Sequence, residues 1–96
     1  MKLIRVVRSS NPDKKYDAIF EDDNGRQKTT SFGFRGMDDY TLTGDVEARE
    51  RYRSRHRKDL ETNDPTRAGY LSMFLLWGDS TSLAKNISKY KQRFNL

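Results

Sequence analysis

Tyr16-Asp17-Ala18-Ile19-Phe20-Glu21, Asp22-Asp23-Asn24-Gly25 and Gln27-Lys28-Thr29-Thr30-Ser31-Phe32 are the stretch that decides the fold. The first run alternates: on an extended chain Tyr16, Ala18 and Phe20 share one face, and Asp17, Ile19 and Glu21 the other. Asn24-Gly25 tolerates the positive φ of a type I′ turn, so the chain is expected to reverse there as a hairpin. Upstream, Leu3-Ile4-Arg5-Val6-Val7-Arg8 is rich in β-branched residues and ends at the turn cluster Ser9-Ser10-Asn11-Pro12-Asp13. Residues 1–33 therefore read as an antiparallel meander of three short strands, one face of which needs helices to cover it.

Downstream the period changes. Residues 34–44 read as a loop, punctuated by Gly36 and Gly44 and the Asp38-Asp39 pair, with Phe34 and Tyr40 folding it back onto the body. A helix is expected over 45–59, capped by Thr43 or Asp45, with a narrow apolar stripe of Val46, Tyr52, His56 and Leu60. A second helix is expected over 65–77, with Asp64 as N-cap and Pro65 at the first helical position. Its residues Ala68, Tyr70, Leu71, Met73, Phe74, Leu75, Leu76 and Trp77 are apolar nearly all round, and Gly78 ends it as a C′ residue. A sharp reversal then leads to a helix over 80–94, capped by Ser80 or Thr81, whose Leu83, Ile87, Tyr90 and Phe94 form one amphipathic face. The fold class is α+β: one domain over 1–96, a three-stranded antiparallel β-meander followed by three α-helices.

At 96 residues, 33% hydrophobic and 34% charged, the chain is too short for a multidomain enzyme and has a thin apolar core, which makes help from a partner plausible. No cysteine is present, which removes disulfides, thiolate nucleophiles and Cys-based zinc sites, and a single histidine removes His clusters and His pairs. Arginines interrupt the apolar run at the N-terminus, so no secretory leader is expected there. The longest apolar stretch, Met73 to Trp77, is far shorter than the roughly 20 residues of a membrane span. The expectation is a soluble, non-enzymatic protein on the cytosolic side, with no catalytic residue, cofactor, metal or small-molecule substrate. Asn86-Ile87-Ser88 fits a glycosylation sequon and, without secretion, has no meaning as one.

The formal net charge is +5. Residues 65–96 carry five cations against Asp79 alone, whereas residues 45–64 balance to zero. Within the balanced segment Arg49, Arg51, Arg53, Arg55 and Arg57 recur at every second position, which on a helix splits them into the stripes Arg49/Arg53/Arg57 and Arg51/Arg55. Asp45–Arg49 and Glu47–Arg51 are spaced for i,i+4 ion pairs. A solvated, salt-bridged helix face accounts for the pattern; phosphate contact, or guanidinium pairing with carboxylates of another protein, are the sharper readings.

Several constellations fail on inspection. Phe32-Gly33-Phe34 resembles the centre of an RNA-recognition strand, but Ser31 and Arg35 break the pattern. Gly33-Phe34-Arg35-Gly36 fits the GXXG of a KH loop, yet it follows a strand rather than joining helices. Asp22-Asp23 and Asp38-Asp39 are more simply turn formers than acid pairs, and Asp13-Lys14-Lys15 is too short to mark a nuclease. His56 has no nucleophile motif beside it, so a half-buried structural role is its simplest reading.

Taken in order, Tyr16-Asp17-Ala18 with Phe20, Ser31-Phe32-Gly33, Asp39-Tyr40-Thr41, Arg51-Tyr52 with Arg55-His56-Arg57, Asp64-Pro65-Thr66 with Ala68-Gly69, Leu75-Leu76-Trp77-Gly78, and Tyr90-Lys91 with Arg93-Phe94 resemble a group of small basic proteins of large double-stranded DNA viruses, phycodnavirus-like viruses of algae and their relatives. The resemblance covers about Tyr16 to Leu96 and carries over no catalytic or binding residue. It implies a setting: the virion, and the host cytoplasm or viral factory before assembly. The expected function is a non-enzymatic structural or minor capsid-type protein that binds other viral structural proteins or a second copy of itself. Tyr70, Phe74, Trp77, Arg49, Arg53 and Arg57 are its candidate protein interface; of the two adjacent helix faces Tyr70/Phe74/Trp77 and Leu71/Leu75, one is expected to pack on the sheet and the other to stay partly open. The alternative is a small nucleic-acid-binding protein associated with the viral genome, using Arg51, Arg55, Lys85, Lys89, Lys91 and Arg93.

Overall fold

The computed structural model describes residues 1–96. Strands β1 (Lys2–Arg8), β2 (Lys14–Glu21) and β3 (Gln27–Phe34) form an antiparallel meander in the order β1-β2-β3. Tyr16 pairs with Phe32, Ala18 with Thr30 and with Val6, and Phe20 with Leu3, so the alternation in β2 sets which face is inward. Leu3 and Val6 are three residues apart, and strict alternation would put them on opposite faces. A register shift between Leu3 and Arg5 absorbs the extra residue and lets both pack inward, while Ile4 is left exposed.

The hairpin reverses where expected, though not through a type I′ turn. Gly25 has φ +80, whereas Asn24 is not among the residues with positive φ. Gly25 N–H donates to the Asp22 carbonyl and Asp22 N–H to the Arg26 carbonyl. The loop is thus the three-residue kind, with a left-handed glycine after an ordinary turn. Asp22 selects it, since its carboxylate accepts from the N–H groups of both Asn24 and Arg26 at 2.9 Å.

The expected loop over 34–44 contains one turn of helix, α1 (Tyr40–Thr43), nucleated by Asp39. The Asp39 carboxylate is 2% exposed; it accepts from Thr41 N–H and Thr41 hydroxyl, and Lys15 Nζ lies 2.6 Å away. Burial of that ion pair is tolerable because each oxygen has a partner.

The helix expected over 45–59 is α2 (Val46–Arg55), followed by a 3₁₀ helix at Arg57–Thr62. Asp45 is its cap, accepting from Ala48 N–H. The second helix starts later than Asp64-Pro65 suggested: α3 covers Ala68–Leu71. Asp64 instead closes a tight turn, accepting from the N–H and hydroxyl of Thr66 at 2.9 and 2.6 Å. That turn is held to the sheet by Thr30, whose hydroxyl donates to the Thr66 carbonyl, and by Lys28 Nζ on the Thr66 hydroxyl.

From Ser72 to Leu76 the helix widens into a π-helical turn that closes with Trp77 N–H on the Ser72 carbonyl. Gly78 follows the C-cap Trp77 and so takes the expected C′ position, though without a positive φ. It is glycine for space: a Cβ there would lie 2.2 Å from the Phe74 carbonyl oxygen and 2.8 Å from Asn86 Cγ. The last helix, α4 (Leu83–Arg93), is capped by Ser82 rather than Ser80 or Thr81, because the Ser82 side chain reaches Lys85 N–H while Ser80 Oγ accepts from Ser82 N–H.

The core joins Leu3, Ala18, Phe20 and Phe32 of the sheet to Tyr70, Leu71, Leu75 and Leu76 of the α3–π segment and Tyr90 of α4. Leu83, Ile87 and Phe94 pack against its edge, as the amphipathic spacing of α4 requires.

Candidate binding cleft

The π-helical turn decides how the last half of the molecule is arranged. On a regular helix Tyr70, Phe74 and Trp77 would share a face. The i→i+5 closure inserts one residue into the turn and rotates Trp77 away from the other two. Tyr70 and Phe74 turn toward α4, with Phe94 at 5.5 and 5.3 Å between ring centroids. Trp77 turns toward α2, stacked on Tyr52 at 4.6 Å with the planes 9° apart.

On its other face Tyr52 stacks with His56 at 4.1 Å, and His56 Nδ1 lies 3.2 Å from Asp59. Burial pushes the Tyr52 hydroxyl above its ordinary value, so it stays neutral. This stack anchors a helix that has no buried residue of its own. Val46, expected in its apolar stripe, is 49% exposed, and the inward positions belong to Ala48, Arg49, Tyr52, Arg53 and His56.

The two arginines on that inward face have structural partners. Arg53 donates from Nε to the Trp77 carbonyl and from its terminal nitrogen to Asp79 at 3.1 Å. Arg49 lies over the Tyr40 ring and pairs with Glu50. Neither expected pair, Asp45–Arg49 nor Glu47–Arg51, forms: Asp45 is occupied as a cap, and Arg49 turns inward to Tyr40. Asp79 lies well below the usual carboxylate range, first because Arg53 donates to it and then because Arg53, Lys89 and Arg49 surround it with positive charge.

Asn86 fixes the opposite wall. It is 2% exposed, on the apolar side of α4. Its amide nitrogen donates to the carbonyls of Leu75 and Ser80 at 2.9 and 2.8 Å, and its oxygen accepts from Ser80 N–H. One side chain thereby ties the end of the π turn and the reversal at 78–82 to α4, with every polar atom satisfied. Tyr90 does similar work one turn later, its hydroxyl donating to the Pro65 carbonyl, and burial drives its ionisation far above the ordinary value.

Between these walls lies a cleft of about 780 Å³. Leu60, Met73, Phe74 and Tyr90 supply its apolar lining, Arg53, Arg57, Lys89 and Arg93 its cations, and Glu50 and Asp79 its carboxylates. The Arg93 guanidinium sits over the Phe74 ring, 4.8 Å from its centroid. The cleft therefore draws Arg53, Arg57 and Phe74 from the candidate protein interface and Lys89 and Arg93 from the candidate nucleic-acid contacts.

The remaining candidates lie elsewhere. Leu71 and Leu75 are fully buried, so of the two faces the aromatic one is left partly open, at Phe74 and Trp77, while Tyr70 is 7% exposed with its hydroxyl donating to the Leu60 carbonyl. Trp77 is half-buried under Tyr52, and Arg49 packs against Tyr40. Arg51, Arg55, Lys85 and Lys91 are exposed on the outer sides of α2 and α4 and have no acidic partner. Sequence reasoning missed Asn86, whose signal is a polar residue inside the Leu83–Ile87–Tyr90 stripe, and Met73, Glu50 and Gln92, which carry no signal in the linear chain. No three His, Asp or Glu side chains converge as a metal-binding group. No helix is long and apolar enough to cross a membrane.

Residues 4–56 match the model of a family described as a family of unknown function (DUF5754), and the chain belongs to that family. The match takes in the sheet except for the first two residues of β1, and the whole of α2, and ends before Arg57, so Glu50, Arg53 and Ser54 of the cleft lie inside it and the rest of the lining outside. No curated protein and no solved structure matches the chain.

Proposed function

We propose that this member of DUF5754 is a non-enzymatic structural protein that binds other proteins, with a minor capsid-type place in the particle of a large DNA virus. The observation that carries the binding part is the α2–α4 cleft, where an apolar floor and four cations meet in one concavity. The non-enzymatic part draws support from His56, which is engaged with Tyr52 and Asp59 away from the cleft lining and leaves the cleft without a recognisable nucleophile–base pair. The viral setting draws support from the sequence phrases that resemble small basic proteins of such viruses. Chemical cross-linking of purified particles tests it. The expected result is the protein in the particle, with Lys89 cross-linked to a shell protein. Absence from particles, or recovery with the genome alone, overturns it.

A second reading has its own observation: Arg51, Arg55, Lys85 and Lys91 are exposed and unneutralised, as contacts to phosphate would be. On that reading affinity for duplex DNA falls with salt, with a log–log slope of about −0.9 for each phosphate contacted. A salt-insensitive interaction, or none at low salt, removes it.

A further inference from the structure

The cleft's charge is not evenly spent. Asp79 is neutralised by Arg53 at 3.1 Å and flanked by Lys89 at 4.0 Å, while Glu50 pairs with Arg49. Arg57 and Arg93 remain: both are exposed, neither has a carboxylate partner, and both line the same concavity. Arg93 is held in place by the Phe74 and Phe94 rings, at 4.8 and 5.7 Å, so its planar fork is partly pre-oriented before any ligand arrives. Leu60, Met73 and Phe74 form the apolar surface that accompanies these two guanidinium groups in the cleft.

We infer that the cleft takes a short acidic segment of a partner protein, with one aromatic or large aliphatic side chain seated against Leu60, Met73 and Phe74 and flanking carboxylates on Arg57 and Arg93. This rests on the protein-binding reading above and names the partner's chemistry. Guanidinium forks match carboxylates bidentately, and an apolar anchor beside arginines is the usual make-up of an interface hot spot. Nucleic acid fits the cleft less well. A duplex presents phosphates on a convex rod rather than to a concavity, and single strands want bare aromatic faces. The cleft offers one half-exposed ring, Phe74, since Tyr90 is 1% exposed, whereas a strand stacks successive bases on several.

The test is binding of an acetylated, amidated pentapeptide, Glu-Asp-Phe-Asp-Glu, to the full chain, followed by backbone and methyl chemical shifts. A second peptide with serine in place of phenylalanine and a short thymidine oligonucleotide serve as competitors. The expected result is shift changes at Leu60, Met73 and Phe74, and binding weakened about tenfold or more by the serine peptide. Arg57→Gln with Arg93→Gln weakens it by a similar factor, whereas Arg51→Gln with Arg55→Gln changes it less than about twofold. Arg57→Gln alone, at an exposed residue without structural partners, keeps the test valid if the double variant loses its fold. Equal binding of the two peptides, insensitivity to the Arg57 and Arg93 changes, displacement by the oligonucleotide at lower concentration, or no binding at all overturns the inference. The protein-binding reading fails separately, on the particle cross-links, which can come from any surface of the chain.

Discussion

Phe20 and Phe32 on the sheet are wholly shielded from solvent, whereas α2 contributes no buried residue at all. The sheet half is held by alternating apolar side chains pressed against the α3–π segment, a force proportional to area and indifferent to direction. The cleft half is held by directional contacts between distant residues: Asn86 on Leu75 and Ser80, Arg53 on Trp77 and Asp79, and Tyr52 between Trp77 and His56. Apolar packing tolerates small errors of angle, while a hydrogen bond weakens steeply with misalignment. The α2 side of the candidate site is thus more sensitive to single polar substitutions and less dependent on hydrophobic burial, while the α4 side also buries Tyr90 in the common core.

The comparison breaks first at Phe20. Phe20→Ala should cost about 3–5 kcal/mol in denaturant unfolding, since it empties the centre of the core. A cost below that of any cleft-half variant would reverse the ranking. Asn86→Ala comes next, at about 2–3 kcal/mol, because the Leu75 carbonyl and the Ser80 N–H and carbonyl lose their shared partner inside the protein. A neutral result would mean that water replaces the amide and that the wall is softer than its geometry. Asp64→Ala sharpens the boundary between the halves. It removes the acceptor for Thr66 N–H and hydroxyl in the turn that ties α3 to the sheet, at a cost of about 1 kcal/mol by thermal unfolding.

The smallest effect is a pH dependence on the outer face of the sheet. Asp17 accepts from the hydroxyls of Ser31 and Ser9, each at 2.6 Å, and these bonds hold its carboxyl below the ordinary 3.8. A carboxyl lowered by folding adds stability that is complete above its ordinary value and is lost as pH falls through the lowered one. Asp17→Asn should therefore flatten the acid limb of stability against pH below about 4 and leave its shape near neutrality unchanged. An acid limb identical in both proteins would show that the serine hydroxyls find other partners.

How much was legible follows the same division. The meander, its inward face and the amphipathic face of α4 were readable because each rests on a local period. The errors were errors of local chemistry with several solutions. Asp64 can cap a helix or close a turn, and only the anchoring of Thr66 by Lys28 and Thr30 selects the turn. Gly78 reads as a C′ residue and is one, yet the pattern could not say that its need is space beside the Phe74 carbonyl and Asn86. The five-arginine run was read as the stripes Arg49/Arg53/Arg57 and Arg51/Arg55; Arg57 lies beyond α2 in the 3₁₀ helix, and the pattern could not say that Arg49 and Arg53 would be spent on Tyr40, Trp77 and Asp79, leaving Arg57 unpaired.

Sequence alone determined the α+β class, the order of its elements and the excess of positive charge towards the C-terminus, because periodicity and composition are properties of neighbouring residues. Tertiary structure decided that Arg57 of one segment and Arg93 of another face a common apolar floor. That meeting depends on a single π-helical turn rotating Trp77 onto α2 and Phe74 toward α4, and on Asn86 tying the end of that turn and the reversal at 78–82 to α4. A cleft between residues more than thirty positions apart is a product of packing, and no linear pattern encodes it.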